Sequence, residues 1–234
     1  MTVTYLTLNK AEGDISDLVL TAASPDVKAK LQNSWTLWIQ TDSESNEEVL
    51  EYDTLTKSIV SFSTLDGFWN TFNGVPQPSV FLHGTKKLSF KADSGKCLKI
   101  DSIMLFREGV LPQWEDPVNA TGGHFQFHWK PAGVLPAQLD EYWNNVVLAL
   151  IGNTIECEGE FSANPILQGA RFVDKLSAKG RQAGIRLEVW FSAASDARHL
   201  QKVKSRLEKA MTLKLDGTNG QVPRCEIRYH SKRS

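Results

Sequence analysis

Apolar and polar positions change their rhythm once along the chain. Residues 1 to 30 are polar, acidic and weakly periodic, which predicts a mobile tail or a marginal helix. From Ser34 onward, runs of β-branched and aromatic residues alternate in part with polar ones: SWTLWIQT, KSIVSFS, SIMLFRE, HFQFHWK, GARFVDKL, GIRLEVWFS and RCEIRYH. A period of two suits a strand buried on one face, so each run predicts a strand. Three other stretches repeat at helical spacing. Thr64 stands as an N-cap before LDGFWNTF, where Leu65, Phe68, Trp69 and Phe72 fall on one face. In LDEYWNNVVLALIG, Leu139, Tyr142, Trp143, Val146, Val147, Leu150 and Ile151 form a continuous stripe, with Gly152 as a stop. Ser195 and Asp196 open a third helix with Leu200, Val203, Leu207 and Met211 on one side and many Lys and Arg residues on the other.

Many strands with three helices of one apolar stripe each predict an α+β fold, a curved antiparallel β-sheet whose convex face is backed by the three helices. KKLSFKADSGKCLKI, residues 86–100, predicts a hairpin about Asp93-Ser94-Gly95. It reads as an insertion near residues 82–100 of one domain spanning 31–234.

Composition narrows the function classes. The 234 residues suffice for one large domain, and no apolar run approaches the ~20 residues of a membrane helix. Cys97, Cys157 and Cys225 lack metal-type spacing and cannot all pair, which predicts reduced thiols and a cytoplasmic protein. Net charge is only −1, yet residues 1–60 balance to −6 (ten acids, four bases) and residues 171–234 to +9 (fifteen bases, six acids). Bulk electrostatics do not mark a nucleic-acid binder, although the basic C-terminal third can hold phosphates.

Seven tryptophans are the unusual feature. Most belong in a core, but Trp114 stands in LPQWEDPVNATGGHF, between Pro112 and Pro117 and beside Glu115 and Asp116. A flat aromatic face with an acceptor at its edge suits a planar, positively charged ligand. Asp116 reads better as an organiser of that loop, and the sequon Asn119-Ala120-Thr121 matters only in a secreted protein. His124 and His128 share one side of a strand but lack further zinc ligands nearby. The acids Glu156, Glu158 and Glu160 fit a solvated loop better than a catalytic metal cluster.

Taken in order, QNSWTLW, STLDGFW, LPQWED followed by Gly122-Gly123, EYWNNVVLALIG and AKG…EVW resemble the eukaryotic translation initiation factor 4E family over residues 31–231. The resemblance implies a curved antiparallel sheet backed by three helices, and binding of the 7-methylguanosine cap of messenger RNA without a cofactor. It places Trp114 as one plate of an aromatic sandwich and Tyr52 as the second, with Glu115 as the carboxylate that reads guanine. Trp190 matches the tryptophan near the methyl group, or is simply a sheet-core residue. Lys175, Lys179, Arg181 and Arg186 form the pool for phosphate, because two alignments of a lengthened hairpin select different members. His124 stands where the family commonly has arginine and adds charge only when protonated.

The resemblance also implies a helical-motif protein partner, an initiation scaffold or a regulatory 4E-binding protein, on the convex helical surface at Leu65, Trp69, Asn145, Leu148 and Ile151. There the usual leucine-glutamate pair is replaced by Asn144-Asn145, so an altered partner is expected. The chain ending soon after His230, together with the insertion over 86–100, suggests a divergent, protist-type member. The expected function is recruitment of capped mRNA to translation. The alternative with the same chemistry is a translational repressor or storage factor, and a methyl-lysine reader fits the acid and the nearby bases less well.

Overall fold

The computed structural model describes residues 29–42, 55–81, 89–91, 97–130, 133–156, 165–175, 184–193, 197–214 and 216–230. Every predicted strand forms. In chain order the strands are β1 (Lys30–Asp42), β2 (Thr56–Thr64), β3 (Ser89–Lys91), β4 (Cys97–Arg107), β5 (Gly123–Trp129), β6 (Leu167–Asp174), β7 (Ile185–Phe191) and β8 (Cys225–Tyr229). They make one sheet in the order β2-β1-β4-β6-β7-β5-β8, with β3 pairing β4 off that path. Every pairing is antiparallel. Lys91 opposite Cys97 gives the two arms of the hairpin expected over 86–100, although its turn lies outside the described residues.

The helices are α1 (Leu65–Gly74), a single turn α2 (Pro78–Phe81), α3 (Pro136–Ile151) and α4 (Ala197–Met211). Thr64 caps α1 as expected, its hydroxyl accepting from the Gly67 N–H at 3.1 Å. The turn α2, absent from the sequence reading, is held by Asp140 of α3. That carboxylate accepts from the Ser79 N–H at 2.7 Å and the Ser79 hydroxyl at 2.6 Å. The α3 helix starts three residues earlier than the stripe suggested, because Pro136 pre-sets helical φ at a first-turn position where no amide donor is needed. Gly152 does end α3, but with φ −77°; the left-handed residue is Asn153 at φ 50°.

Alternation sorts the sheet into two faces. Trp35, Leu37, Ile103, Leu105, Phe125, Phe127, Ala170, Phe172, Leu187 and Val189 point toward the helices and pack with the stripes of α3 and α4. Asn145 ties those helices together, donating from its amide to the carbonyls of Met211 at 3.0 Å and Leu213 at 2.8 Å. The opposite face carries a smaller apolar cluster of Met104, Phe106, Val110 and Trp190, flanked by half-buried Trp38. Gly169 lies between Phe106 and Trp190 in the ladder. Having no side chain there, it lets the two rings meet edge to face at 5.3 Å.

The closest backbone approach is at the double glycine. A Cβ on Gly122 would lie 1.9 Å from the Phe191 carbonyl oxygen, and one on Gly123 2.3 Å from the Arg228 carbonyl oxygen. No side chain fits, so β5 is wedged between β7 and β8 at the very residues that begin it. Gly122→Ala is therefore expected to lower unfolding free energy by about 2–3 kcal/mol in denaturant titration. Gly74→Ala, where nothing lies within 4 Å, should be neutral or slightly stabilising.

Candidate functional site

The loop joining β4 to β5 is built to hold one ring out. Asp116 is buried and accepts from the Leu111 N–H at 2.9 Å and the Val118 N–H at 2.8 Å. Asn119, with no exposed surface, donates from its side-chain amide to the carbonyls of Leu111 at 2.8 Å and Gln113 at 3.0 Å. Both amide hydrogens are thus spent inside the loop, which accounts for Asn119 without any sugar chain. With its base clamped, the loop leaves Trp114 56% exposed and Glu115 in solvent beside it. Among the tryptophans only Trp114 and Trp69 are this open; Trp35, Trp129, Trp143 and Trp190 are buried and Trp38 is half-buried.

A residue that the sequence reading passed over completes the site. The backbone N–H of His230 donates to the Gly122 carbonyl at 3.1 Å, which fixes the end of β8 next to the loop. The His230 ring then stacks on Trp114, with centroids 6.0 Å apart and planes 18° from parallel. Its Nδ1 meets the Asn119 carbonyl at 2.9 Å and its Nε2 meets His124 Nδ1 at 3.0 Å. A carbonyl only accepts, so in the neutral pair His230 Nδ1 carries the hydrogen and His124 Nδ1 donates to His230 Nε2.

Trp190 lies beneath this pair, 1% exposed, with its indole N–H donating to Glu188 Oε2 at 3.2 Å. His124 and His230 cover it, at centroid distances of 5.8 and 4.5 Å. In this structure it packs within the sheet face, with both histidine rings over it. Glu188 is the electrostatic centre of the face. Burial alone would raise its carboxyl, but Arg171, His124, Arg186 and the Trp190 N–H together hold it below the ordinary value. Burial pushes His124 down to about 4, against the pull of Glu188. At neutral pH His124 is therefore uncharged and does not replace an arginine, so the charge that keeps Glu188 ionised comes from Arg171 and Arg186.

The remaining expected residues divide. Lys175 is ion-paired with Asp101, and Arg186 Nε lies 3.7 Å from Glu188 Oε1. The two sit on neighbouring strand ends, where Val173 faces Arg186 and the Lys175 N–H bonds to the Gly184 carbonyl at 2.9 Å. Tyr52, Lys179 and Arg181 lie outside the described residues. On the helical side Trp69 and Leu148 are open, at 41% and 40% exposure, and Leu65 is half-buried. Two expectations there are corrected. Ile151 is core, 6% exposed on the inner side of α3, and the Asn145 amide is committed to the end of α4. Glu156 is buried and clasps the start of β6, accepting from the N–H groups of Ile166 at 2.7 Å and Leu167 at 3.1 Å. No group of three or more potential metal ligands occurs among the described residues, nor any helix long and apolar enough to cross a membrane.

The architecture is thus an antiparallel sheet with helices on one face and a clamped loop at its edge that holds the ring of Trp114 and the carboxylate of Glu115 in solvent. The sequence profile of eukaryotic initiation factor 4E matches residues 30–232, and the chain belongs to that family. It is 30% identical over 188 residues to eukaryotic translation initiation factor 4E of Candida albicans, covering 80% of this chain and 76% of that protein. The Saccharomyces cerevisiae protein of the same name is 28% identical over 192 residues, covering 82% and 75%. Among solved structures, Ascaris suum eIF4E-3 with an m2,2,7G cap superposes with a TM-score of 0.62 at 22% identity, over 88% of this chain and 94% of that one. Schistosome eIF4E complexed with m7GpppA and 4E-BP gives 0.59 at 20% identity, over 80% and 84%. At those identities the likeness establishes the fold.

The buried histidine has a stability consequence. The unfolded chain takes up a proton on His124 near pH 6.5, whereas the folded chain does so only near 4. Proton uptake therefore favours unfolding, so this contribution is complete above about pH 6.5 and is lost as pH falls toward 4. The loss should be on the order of 3 kcal/mol. Denaturant unfolding of H124Q across this range should show a shallower decline than the parent chain.

Proposed function

We propose that this chain binds the 7-methylguanosine 5′ cap of mRNA and recruits the message for translation initiation in the cytoplasm. The observation that carries the reading is the pairing of Trp114, more than half exposed, with the solvent-facing carboxylate of Glu115 on a loop clamped by Asp116 and Asn119. N7-methylation gives guanine a delocalised positive charge, and an indole face attracts such a cation by ~0.5–2 kcal/mol beyond ordinary stacking. The Glu115 carboxylate accepts from N1–H and the exocyclic amine together, a charge-assisted bidentate contact that adenine cannot offer. Tyr52 is the second plate in this reading. Lys175, Lys179, Arg181 and Arg186 are the pool for the phosphates, with Lys175 and Arg186 exchanging their present carboxylate partners for the ligand. The role is binding rather than catalysis, and Glu156 is already spent on backbone amides.

The protein partner in this reading is a helical-motif scaffold or regulator. Membership of the family supports it, and relatives of the same fold include Caenorhabditis elegans eIF4E-3 in complex with the 4E-binding protein Mextli. Its apolar anchor packs on Trp69, Leu65 and Leu148. Ile151 and the Asn145 amide take no part, being used inside the fold.

Quenching of tryptophan fluorescence by 7-methyl-GTP tests the cap reading. GTP should bind roughly twofold to thirtyfold more weakly than the methylated nucleotide. Trp114→Ala should weaken 7-methyl-GTP by at least about tenfold, and Glu115→Gln by about tenfold. Equal responses to the two nucleotides would remove the cation-stacking mechanism.

A further inference from the structure

His230 is held more firmly than a bystander needs to be. Its backbone is tied to Gly122, and its two ring nitrogens are tied to the Asn119 carbonyl and to His124. Asn119 in turn staples the loop that carries Trp114. The imidazole is thus held through both ring nitrogens, and its backbone by a third bond, while its face lies nearly parallel to the indole. One face of Trp114 is backed by a ring that cannot swing away without breaking these bonds, and the exposed remainder is what a ligand can reach.

We propose that His230 is a positioning and specificity residue of the base site: it sets the orientation of Trp114, and it must be uncharged for the site to hold a cationic base. The proposal rests on the cap reading above and deepens it. An imidazolium behind the indole would repel a positive ligand in front of it and weaken the pull of the ring face. Protonation would also place an N–H of His230 Nε2 against the N–H of His124 Nδ1, so His124 would have to move its hydrogen to the other nitrogen.

The charged neighbours do not remove this sensitivity. Glu115 on the loop and Glu188 on β7 favour the cation at His230, but burial outweighs them and keeps the ring below its ordinary value. Arg228 on β8 disfavours a charge on the coupled His124, and Arg171 on β6 is engaged with Glu188. The pocket therefore rests in its neutral form near pH 7.

The test uses the 7-methylguanosine nucleoside, which has no titrating phosphate, with the full chain followed by tryptophan fluorescence from about pH 7 down to about pH 5. Relative to H230Q, the parent chain should lose between about twofold and tenfold in affinity over that range. Identical pH profiles for the two would overturn the proposal. A second measurement needs no variant: the His230 ring signal in carbon-13 NMR should titrate at lower pH when the nucleoside is bound, and an unmoved midpoint would overturn the proposal too. Binding that is lost in Trp114→Ala but insensitive to His230 would leave the cap reading standing and sink this inference alone. Absence of binding at every pH would sink both.

Discussion

The placement of the Trp114 loop depends on how closely β5 runs between β7 and β8. At Gly122 and Gly123 the neighbouring carbonyls of Phe191 and Arg228 occupy the space where side chains would be. That approach delivers two things to one corner. It ends the Trp114 loop at a fixed point, and through the His230 N–H to the Gly122 carbonyl it brings the residue after the last strand beside the indole. The double glycine is therefore a steric condition for the site, although neither glycine offers a group to a ligand. Only contact with the backbone of two strands explains why both positions must lack a Cβ.

The sheet divides its labour by face. One side is closed by the helical stripes into a continuous apolar core, and the other keeps a small aromatic cluster beside a charged network. In the ladder Trp38, Met104, Arg171, Glu188, Gln126 and Glu226 are successive neighbours, so a buried carboxylate sits in the middle of the face rather than at its rim. An ionised group there is tolerable because Arg171 and Arg186 compensate it and the Trp190 N–H occupies one of its oxygens. In the same network Arg186 keeps part of its side chain exposed while its Nε lies 3.7 Å from Glu188 Oε1.

The strands were legible from their β-branched and aromatic runs, in which alternation survives in part even where β4 and β7 are apolar on both faces; only β3, three residues long, is too short to carry a pattern. The α1 cap was legible because Thr64 bonds locally, within three residues. The charged face was not legible. Glu188, Arg171 and Arg186 become neighbours only through strand pairing, and each alone reads as an ordinary surface charge. His230 gave no signal for a similar reason, since its partners Trp114, Asn119 and His124 lie more than a hundred residues away. Ile151 and Asn145 misled in the opposite direction. A helical stripe shows which residues share a face, but not whether that face meets the sheet, a second helix or a partner.

The most direct test of the account is a nitrogen-15 NMR titration that resolves the indole N–H signals of the seven tryptophans while 7-methyl-GDP is added. Trp114 should shift most, Trp190 should follow through His230 and Glu188, and Trp69 on the helical side should stay where it is. A titration that moves Trp69 and leaves Trp114 unchanged would place the ligand on the wrong side of the sheet and contradict the account.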